Sequence, residues 1–367
     1  MTDVAASGAS QVYTWEPSNR AIAERYGLRP EDILRFDTNT SPAPPDWAAA
    51  MLRDDFDPPL NEYPDSSYAD LTAAAAAYLG IAPDRIVVGA GADEIIDMVA
   101  KAWLGEGATA LVPTPTYGMY GVVSGQREAR VKRIPRLGPD GGYGLDLGAL
   151  LPLLAGASVV WLCDPNNPTG AREDPDRLLV LLDVAAAVPD RPLVVIDEAY
   201  AEFVEGSAVS WLDRYPHLLV VRTLSKAFAL AGARVGYAAG SRAVIARMER
   251  VRPPGSISTI SATLGAMALS RPEVARANAT RLASEREWLA ARLATAGWPP
   301  APSVTNFLLV PLGDRSRTEA VAEHLLEAGI VPRTFPIDHP LADHLRLTVR
   351  SRAENERLLT IIDGWQP

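Results

Sequence analysis

The chain has 367 residues, with 45 acidic side chains against 35 Lys and Arg, a net charge of −10. Apolar residues make up 48% and charged ones 22%, a balance that excludes a disordered chain. The acidic excess, with no run of five like charges, argues against non-specific nucleic-acid binding, which needs clustered Lys and Arg. At about 150 residues per domain the length fits two domains or one large α/β unit.

In chain order, an N-terminal arm (1–46) ends in the proline-rich stretch 41–45, and 73–77 reads as a helix interior. Seven β-rich runs follow at 85–89, 109–112, 129–135, 158–163, 193–197, 218–223 and 234–239. Several are continuously apolar, as strands buried on both faces should be. Helical patterns at 94–103 and 176–187 lie between them, which predicts an α/β sheet layered on both sides. After Pro253-Pro254 the pattern changes. A long helix is expected at 272–296, a strand at 306–310 and a helix at 317–328. Strand pieces follow around Val331 and at 345–349, and a helix at 353–363. The division expected is 1–46 as an arm joined to the small domain, 47–255 as the large domain and 256–367 as the small α+β domain.

The single cysteine, Cys163, excludes an internal disulfide and a Cys-based zinc cluster, and reads as a small buried strand residue. His217, His324, His339 and His344 lack metal-ligand spacing, so no metal is expected. The opening residues have neither a basic nor an apolar leader region. The uncharged stretch 147–163 is broken by Pro152 and Gly156 and is too short for a membrane span. A cytoplasmic location is therefore expected.

Three chemical signals fall at the carboxyl ends of predicted strands, where open α/β sheets bind ligands. Gly89-Ala90-Gly91-Ala92-Asp93-Glu94 leads from a strand into a helix, a turn that either just reverses the chain or cradles an anion. The segment Asp164 to Gly170 (DPNNPTG) makes a rigid turn that would fix the Asn167 amide. Asp197 and Lys226 close two neighbouring strands. They could form a structural salt bridge. Alternatively both serve a cofactor, the desolvated lysine as a Schiff-base nucleophile and the carboxylate against a pyridine nitrogen. Only three lysines exist: Lys101 on the wet side of a helix, Lys132 in an exposed basic strand, and Lys226.

Nine stretches in order carry a resemblance. They are TNTSPAPP (38–45), NEYPD (61–65), GAGADE (89–94), PTYGMY (115–120), DPNNPTG (164–170), VVIDEAYAEF (194–203), TLSKAFALAGARVGY (223–237), VTNFLLV (304–310) and LRLTV (345–349). The sequence resembles the fold type I pyridoxal-phosphate aminotransferases, and among them the histidinol-phosphate aminotransferase family. The resemblance implies a large domain with a seven-stranded, mostly parallel sheet, a smaller α+β domain, and a homodimer with shared active sites. It implies that Lys226 bonds the cofactor and shuttles the substrate proton, and that Asp197 pairs with the ring nitrogen. Tyr200 and Asn167 would hydrogen-bond the cofactor's phenolic oxygen, and Tyr117 would stack on its ring. Backbone N–H groups of Ala92 and Asp93, with Thr223, Ser225 and Arg234, would cup the phosphate. Tyr63 would reach the phosphate in the neighbouring copy. Arg346 would clamp a substrate anion, with Arg333 a second anion contact and Asn167 also near the substrate.

The family pattern is broken on the substrate side. Asn39 is followed by Thr40 instead of Glu, Trp15 stands where the family has an aromatic that is often Tyr, and Arg350 replaces a Gly. Arg350 is expected to face solvent or to add positive charge near the substrate. The resemblance implies amino transfer between histidinol phosphate and a 2-oxo acid such as 2-oxoglutarate, in histidine biosynthesis. An aromatic amino acid aminotransferase, a threonine-phosphate decarboxylase-like lyase, and a non-enzymatic cofactor-binding protein are the alternatives.

Overall fold

The computed structural model describes residues 16–54 and 61–365. Its strands are β1 (Leu34–Arg35), β2 (Ile86–Gly89), β3 (Thr109–Thr114), β4 (Arg130–Pro135), β5 (Val159–Cys163), β6 (Leu193–Asp197), β7 (Leu218–Thr223), β8 (Gly236–Gly240), β9 (Phe307–Pro311), β10 (Ile330–Val331) and β11 (His344–Thr348). A seven-stranded sheet runs in the order β2-β8-β7-β6-β5-β3-β4. Its pairings are parallel except those of β8, which is antiparallel to β2 and β7.

These are the seven runs expected from sequence, with two informative shifts. β3 continues through Pro113, which has no N–H to donate. It can do so because Pro113 lies beyond the last β3–β5 pair, Leu111 with Val160. β8 begins at Gly236 and not at 234, because Arg234 has left-handed backbone (φ 51°) as the chain leaves the turn Ala231–Ala233.

The apolar strands are buried on both faces because successive side chains point to opposite sides. Val160, Leu162, Val194 and Ile196 pack on one face, beneath helices Ala69–Leu79, Pro175–Ala187 and Thr259–Leu269. Val159, Trp161, Cys163 and Val195 pack on the other, beneath Ala92–Trp103, Met119–Gln126 and Arg242–Glu249. Cys163 is a buried free thiol, and Lys132 is exposed, as expected.

A third core lies around antiparallel β9 and β11, covered by helices Pro272–Thr295, Arg315–Glu327 and Arg352–Asp363. Phe36 sits in it, and β1 pairs parallel with β10, so the N-terminal segment is built into this part of the chain. Ser351 and Glu354 form a capping box on the last helix. Arg350 belongs to the same corner. It pairs with Glu354 at 2.7 Å and lies over the Phe36 ring, with its side chain 11% exposed. It therefore neither faces solvent nor reaches the substrate side, because the helix start takes its charge. Among the described residues no helix is long and apolar enough to cross a membrane.

One close approach locks the sheet to the first helix of the site. A Cβ on Gly236 would stand 2.4 Å from the carbonyl carbon of Gly91 and 2.5 Å from the Ala92 nitrogen. Gly236→Ala should therefore lower stability by about 1–3 kcal/mol in urea unfolding. Gly232→Ala, where a Cβ meets nothing within 4 Å, should stay near the parent. Equal midpoints for the two variants would remove this contact as a constraint.

Candidate active site

The carboxyl ends of β5, β6 and β7, the start of helix Ala92–Trp103 and residues from the third core enclose one cavity of about 500 Å³. Twelve of the expected residues line it: Ala92, Asp93, Tyr117, Asn167, Asp197, Tyr200, Thr223, Ser225, Lys226, Arg234, Arg333 and Arg346. Tyr63 does not; its side chain is 94% exposed, and its expected target is a second copy. Trp15 lies outside the described residues.

Asp197 ends a fully buried strand and is itself 3% exposed, so its carboxylate is largely withdrawn from bulk water. The Tyr120 hydroxyl donates to Oδ2 at 2.7 Å and the Ala199 N–H to Oδ1 at 3.1 Å. Burial pushes this carboxyl up to about 6, against the lowering effect of those two hydrogen bonds. Lys226 is held in a turn three residues past β7, where its ammonium donates to the Thr38 carbonyl at 3.3 Å. Burial, with Arg346 and Arg234 nearby, brings it down from 10.5 to about 8. Among the described residues no ion pair joins Lys226 to Asp197. The salt-bridge alternative is not realised, and each group remains available to a different part of a bound molecule.

The two expected partners of a phenolic oxygen are oriented by neighbours. Arg346 donates to Asn167 Oδ1 at 2.5 Å, which turns the Nδ2 donors of that amide away from the guanidinium. Asn39 donates to the Tyr200 oxygen at 2.9 Å, leaving the tyrosine proton to donate onward. Burial raises the Tyr200 hydroxyl well above its ordinary range, so it stays protonated.

The anion cradle is equally concrete. Gly91 caps helix Ala92–Trp103 with φ 83° and no side-chain hydrogen bond, so the first N–H groups keep their donors at the positive end of the helix dipole. Arg234 lies against that turn, since a Cβ on Gly91 would come within 2.6 Å of its guanidinium. Arg234 also contacts Asp93 at 3.1 Å, and Asp93 accepts from the Tyr117 hydroxyl at 2.8 Å. Thr223 and Ser225 hydroxyls join at 2.9 Å beside them.

Arg333 and Arg346 exchange backbone hydrogen bonds at 3.0 Å, which starts both side chains from the same face, and both line the cavity. Glu16 approaches Arg333 at 3.6 Å, and burial raises its carboxyl. Glu16, which lines the cavity, and Tyr120, which supports Asp197 from behind it, are residues that sequence reasoning did not single out. Tyr120 lies inside the quoted stretch 115–120, but nothing in the sequence pattern pointed its hydroxyl at Asp197. Glu16 depends on long-range packing and had no signal of its own, whereas Asn39, placed on the substrate side by the resemblance, does line the cavity.

Pyridoxal phosphate asks for an amine, a carboxylate for its ring nitrogen and a cradle for a dianion. The cavity offers Lys226, Asp197 at a strand end, and a cradle built from donors and a cation, and so fits the group.

The family model for aminotransferase class I and II matches residues 31–362. The chain belongs to the class I and II aminotransferases. It is 38% identical over 321 residues to a histidinol-phosphate aminotransferase of Xanthomonas euvesicatoria, covering 85% of this chain and 86% of that protein. A histidinol-phosphate aminotransferase of Roseiflexus castenholzii is 33% identical over 368 residues, covering 96% and 95%. Among solved structures, the histidinol-phosphate aminotransferase of Sinorhizobium meliloti in complex with pyridoxal 5'-phosphate superposes with a TM-score of 0.85 at 24% identity, covering 99% of both chains. The chain thus has the fold type I architecture and is a pyridoxal-phosphate-dependent aminotransferase.

The buried lysine gives the aminotransferase a measurable signature without cofactor. Below pH 8 both folded and unfolded states hold the Lys226 proton, and burying the ammonium costs stability. As pH rises from about 8 to 10.5, the folded state sheds that proton first, so stability from this group increases by about 3 kcal/mol. Urea unfolding of the apoenzyme across this window should show that gain relative to Lys226→Met. Parallel pH profiles for the two proteins would contradict it.

Proposed function

We propose that this chain transfers an amino group between histidinol phosphate and a 2-oxo acid such as 2-oxoglutarate, within histidine biosynthesis. The observation that carries the reading is the pairing of Arg333 and Arg346 in the lining of a cavity that also holds Lys226, Asp197 and an anion cradle. Two arginines bridged through their backbones in one cavity suit a phosphate-bearing amine, because guanidinium donors match phosphate oxygens in charge and geometry. The relatives named as histidinol-phosphate aminotransferases, at 33–38% identity, support the same substrate.

Pyridoxal phosphate, when bound, supplies the ring into which electrons from the substrate's Cα–H bond are drawn. On this reading Ala92, Asp93, Thr223, Ser225 and Arg234 hold the phosphate. Asp197 keeps the ring nitrogen protonated. Tyr117 covers one ring face. Asn167 Nδ2 and the Tyr200 hydroxyl donate to the phenolic oxygen. Lys226, with its lowered proton affinity, accepts the proton from the substrate Cα and returns it, a task that needs a base titrating near neutrality. Arg346 fixes the substrate anion and so aligns the Cα–H bond with the amine, with Asn167 beside it. We further propose a cytoplasmic homodimer in which exposed Tyr63 reaches the phosphate cradle of its partner copy, and a division into 1–46, 47–255 and 256–367.

The deciding experiment adds histidinol phosphate alone to the cofactor-loaded enzyme and follows its near-visible absorbance. The band should be lost with one equivalent of pyridoxamine phosphate recovered, and 2-oxoglutarate should restore it. A band unmoved by this amine would discard the substrate, and release of carbon dioxide from phosphothreonine would install the lyase instead. Arg346→Ala should raise KM for the amine by roughly tenfold or more, since a charged clamp is lost. Lys226→Ala should abolish turnover, and steady-state transamination by that variant would overturn the assignment of the base.

A further inference from the structure

Tyr120 does not line the cavity, yet it is tied to the cavity's most buried charge. It lies on helix Met119–Gln126 with no exposed surface. Its ring is stacked on Trp161 of β5, with centroids 5.2 Å apart and planes 9° from parallel, and meets Tyr117 edge-on at 5.7 Å. Ser124 completes the clamp: its hydroxyl donates to the Tyr120 carbonyl at 2.6 Å and accepts from the Trp161 indole at 3.1 Å. The only degree of freedom left to a phenol so held is rotation of its O–H bond. That hydroxyl stands 2.7 Å from Asp197 Oδ2, and burial raises it far above its ordinary range, so it remains a donor.

We propose that Tyr120 is a positioning residue for amino transfer, holding the Asp197 carboxylate ionised and aimed at the cofactor's ring nitrogen. The proposal rests on the reading that Asp197 meets that nitrogen. A carboxylate at the end of an apolar strand gains on protonation unless donors compensate for lost water. Ala199 supplies one such donor from the carboxylate's own turn. Tyr120 supplies the other from a different element, and fixes the torsion of the side chain as it does so. The stacked indole behind it makes the donor rigid, so no reorganisation is needed when a cationic ring nitrogen arrives. Tyr117, just before the helix, and Tyr120, in its first turn, then divide the labour. The first faces the cavity, and the second faces the acid beneath it.

The test is a double-mutant cycle on the affinity of the apoenzyme for pyridoxal phosphate, followed by absorbance titration. Tyr120→Phe keeps the ring and its stacking and removes only the hydroxyl. With Asp197 present it should weaken cofactor binding by roughly ten- to a hundredfold, the range for a hydrogen bond to a charged group. It should also lower kcat while leaving the amine KM within about twofold. In the Asp197→Ala background the same substitution should change affinity by less than about threefold. An equal loss in both backgrounds would make Tyr120 a packing residue and overturn the proposal. So would wild-type affinity for Tyr120→Phe beside a defective Asp197→Ala. Wild-type affinity and turnover for Asp197→Ala alone would instead overturn the role of Asp197 itself. Should the Phe variant not fold, Tyr120→Met removes hydroxyl and stacking together, and its coupling to Asp197→Ala in the cycle still isolates what the two residues share.

Discussion

The structure turns on two opposite charges withdrawn from water at the ends of neighbouring apolar strands and not paired with each other. β6 and β7 are buried along their whole length, so Asp197 and the turn carrying Lys226 sit where the sheet interior meets the cavity. Burial moves both toward neutrality, the carboxyl upward and the ammonium downward. A direct ion pair would satisfy both and close the site. Instead Asp197 is satisfied from below by Tyr120 and Ala199, and Lys226 from the side by the Thr38 carbonyl. Each charge is stabilised just enough to persist, and each keeps unsatisfied electrostatic potential toward the cavity. That is the arrangement expected when the complementary charges arrive with a cofactor and its substrate.

Holding two strand ends in this state requires support from behind. Glu198 and Arg222, the residues beside Asp197 and Thr223, point the other way and form a buried pair at 2.8 Å, with Glu202 adding a second contact to the arginine at 3.1 Å. Ser207 and Tyr78 complete this cluster. Breaking such a pair leaves an uncompensated charge in the interior, so the ends of β6 and β7 are coupled. The third core is fastened to the same turn. Asn278, on the long helix, donates to the Ala227 carbonyl and to Ser41, and Ser41 donates to the Lys226 carbonyl. Asn39, in left-handed backbone, ties Thr348 and Asn306 to the Tyr200 hydroxyl. The proposed base and the proposed phenol-oxygen donor therefore have their positions set jointly by the sheet and by the third core.

The sheet was legible because strands buried on both faces leave short apolar runs such as VVWLC and LVVI, rich in β-branched residues and separated by helical patterns. The lysine was legible by scarcity, as one of three. Helix Met119–Gln126 was not, because three of the nine residues from Gly118 to Gln126 are glycine and its apolar residues show almost no helical periodicity. With that helix went Tyr120. Arg350 was misread for a different reason. Its neighbours in sequence pointed to the substrate side, whereas its charge is absorbed by Glu354 one helical turn on, a contact that depends on where the last helix begins. Asn39 was placed on the substrate side by resemblance alone, and Glu16 not at all, because both reach the cavity only after β1 pairs with β10 and no local pattern encodes a pairing across nearly three hundred residues.

The hydrogen bond between Arg346 and Asn167 gives the proposed chemistry an internal link. The guanidinium is also fixed by the Asp37 carbonyl and by the face of Phe307 at 5.3 Å, so its orientation is set before any substrate arrives. By donating to Asn167 Oδ1 it decides which end of that amide is presented to the cavity. On the proposed reading, one end of Arg346 receives the substrate anion while its other donor turns the amide that tunes the cofactor's phenolic oxygen. An anion drawing the guanidinium toward itself would weaken its hold on Oδ1 and so change the donor strength of Nδ2. Substrate capture and the electronic state of the cofactor would then share a single side chain. This is a tighter economy than two independent sites, and it makes a lysine at position 346 a poor substitute, since an ammonium lacks the planar fork that serves both partners at once.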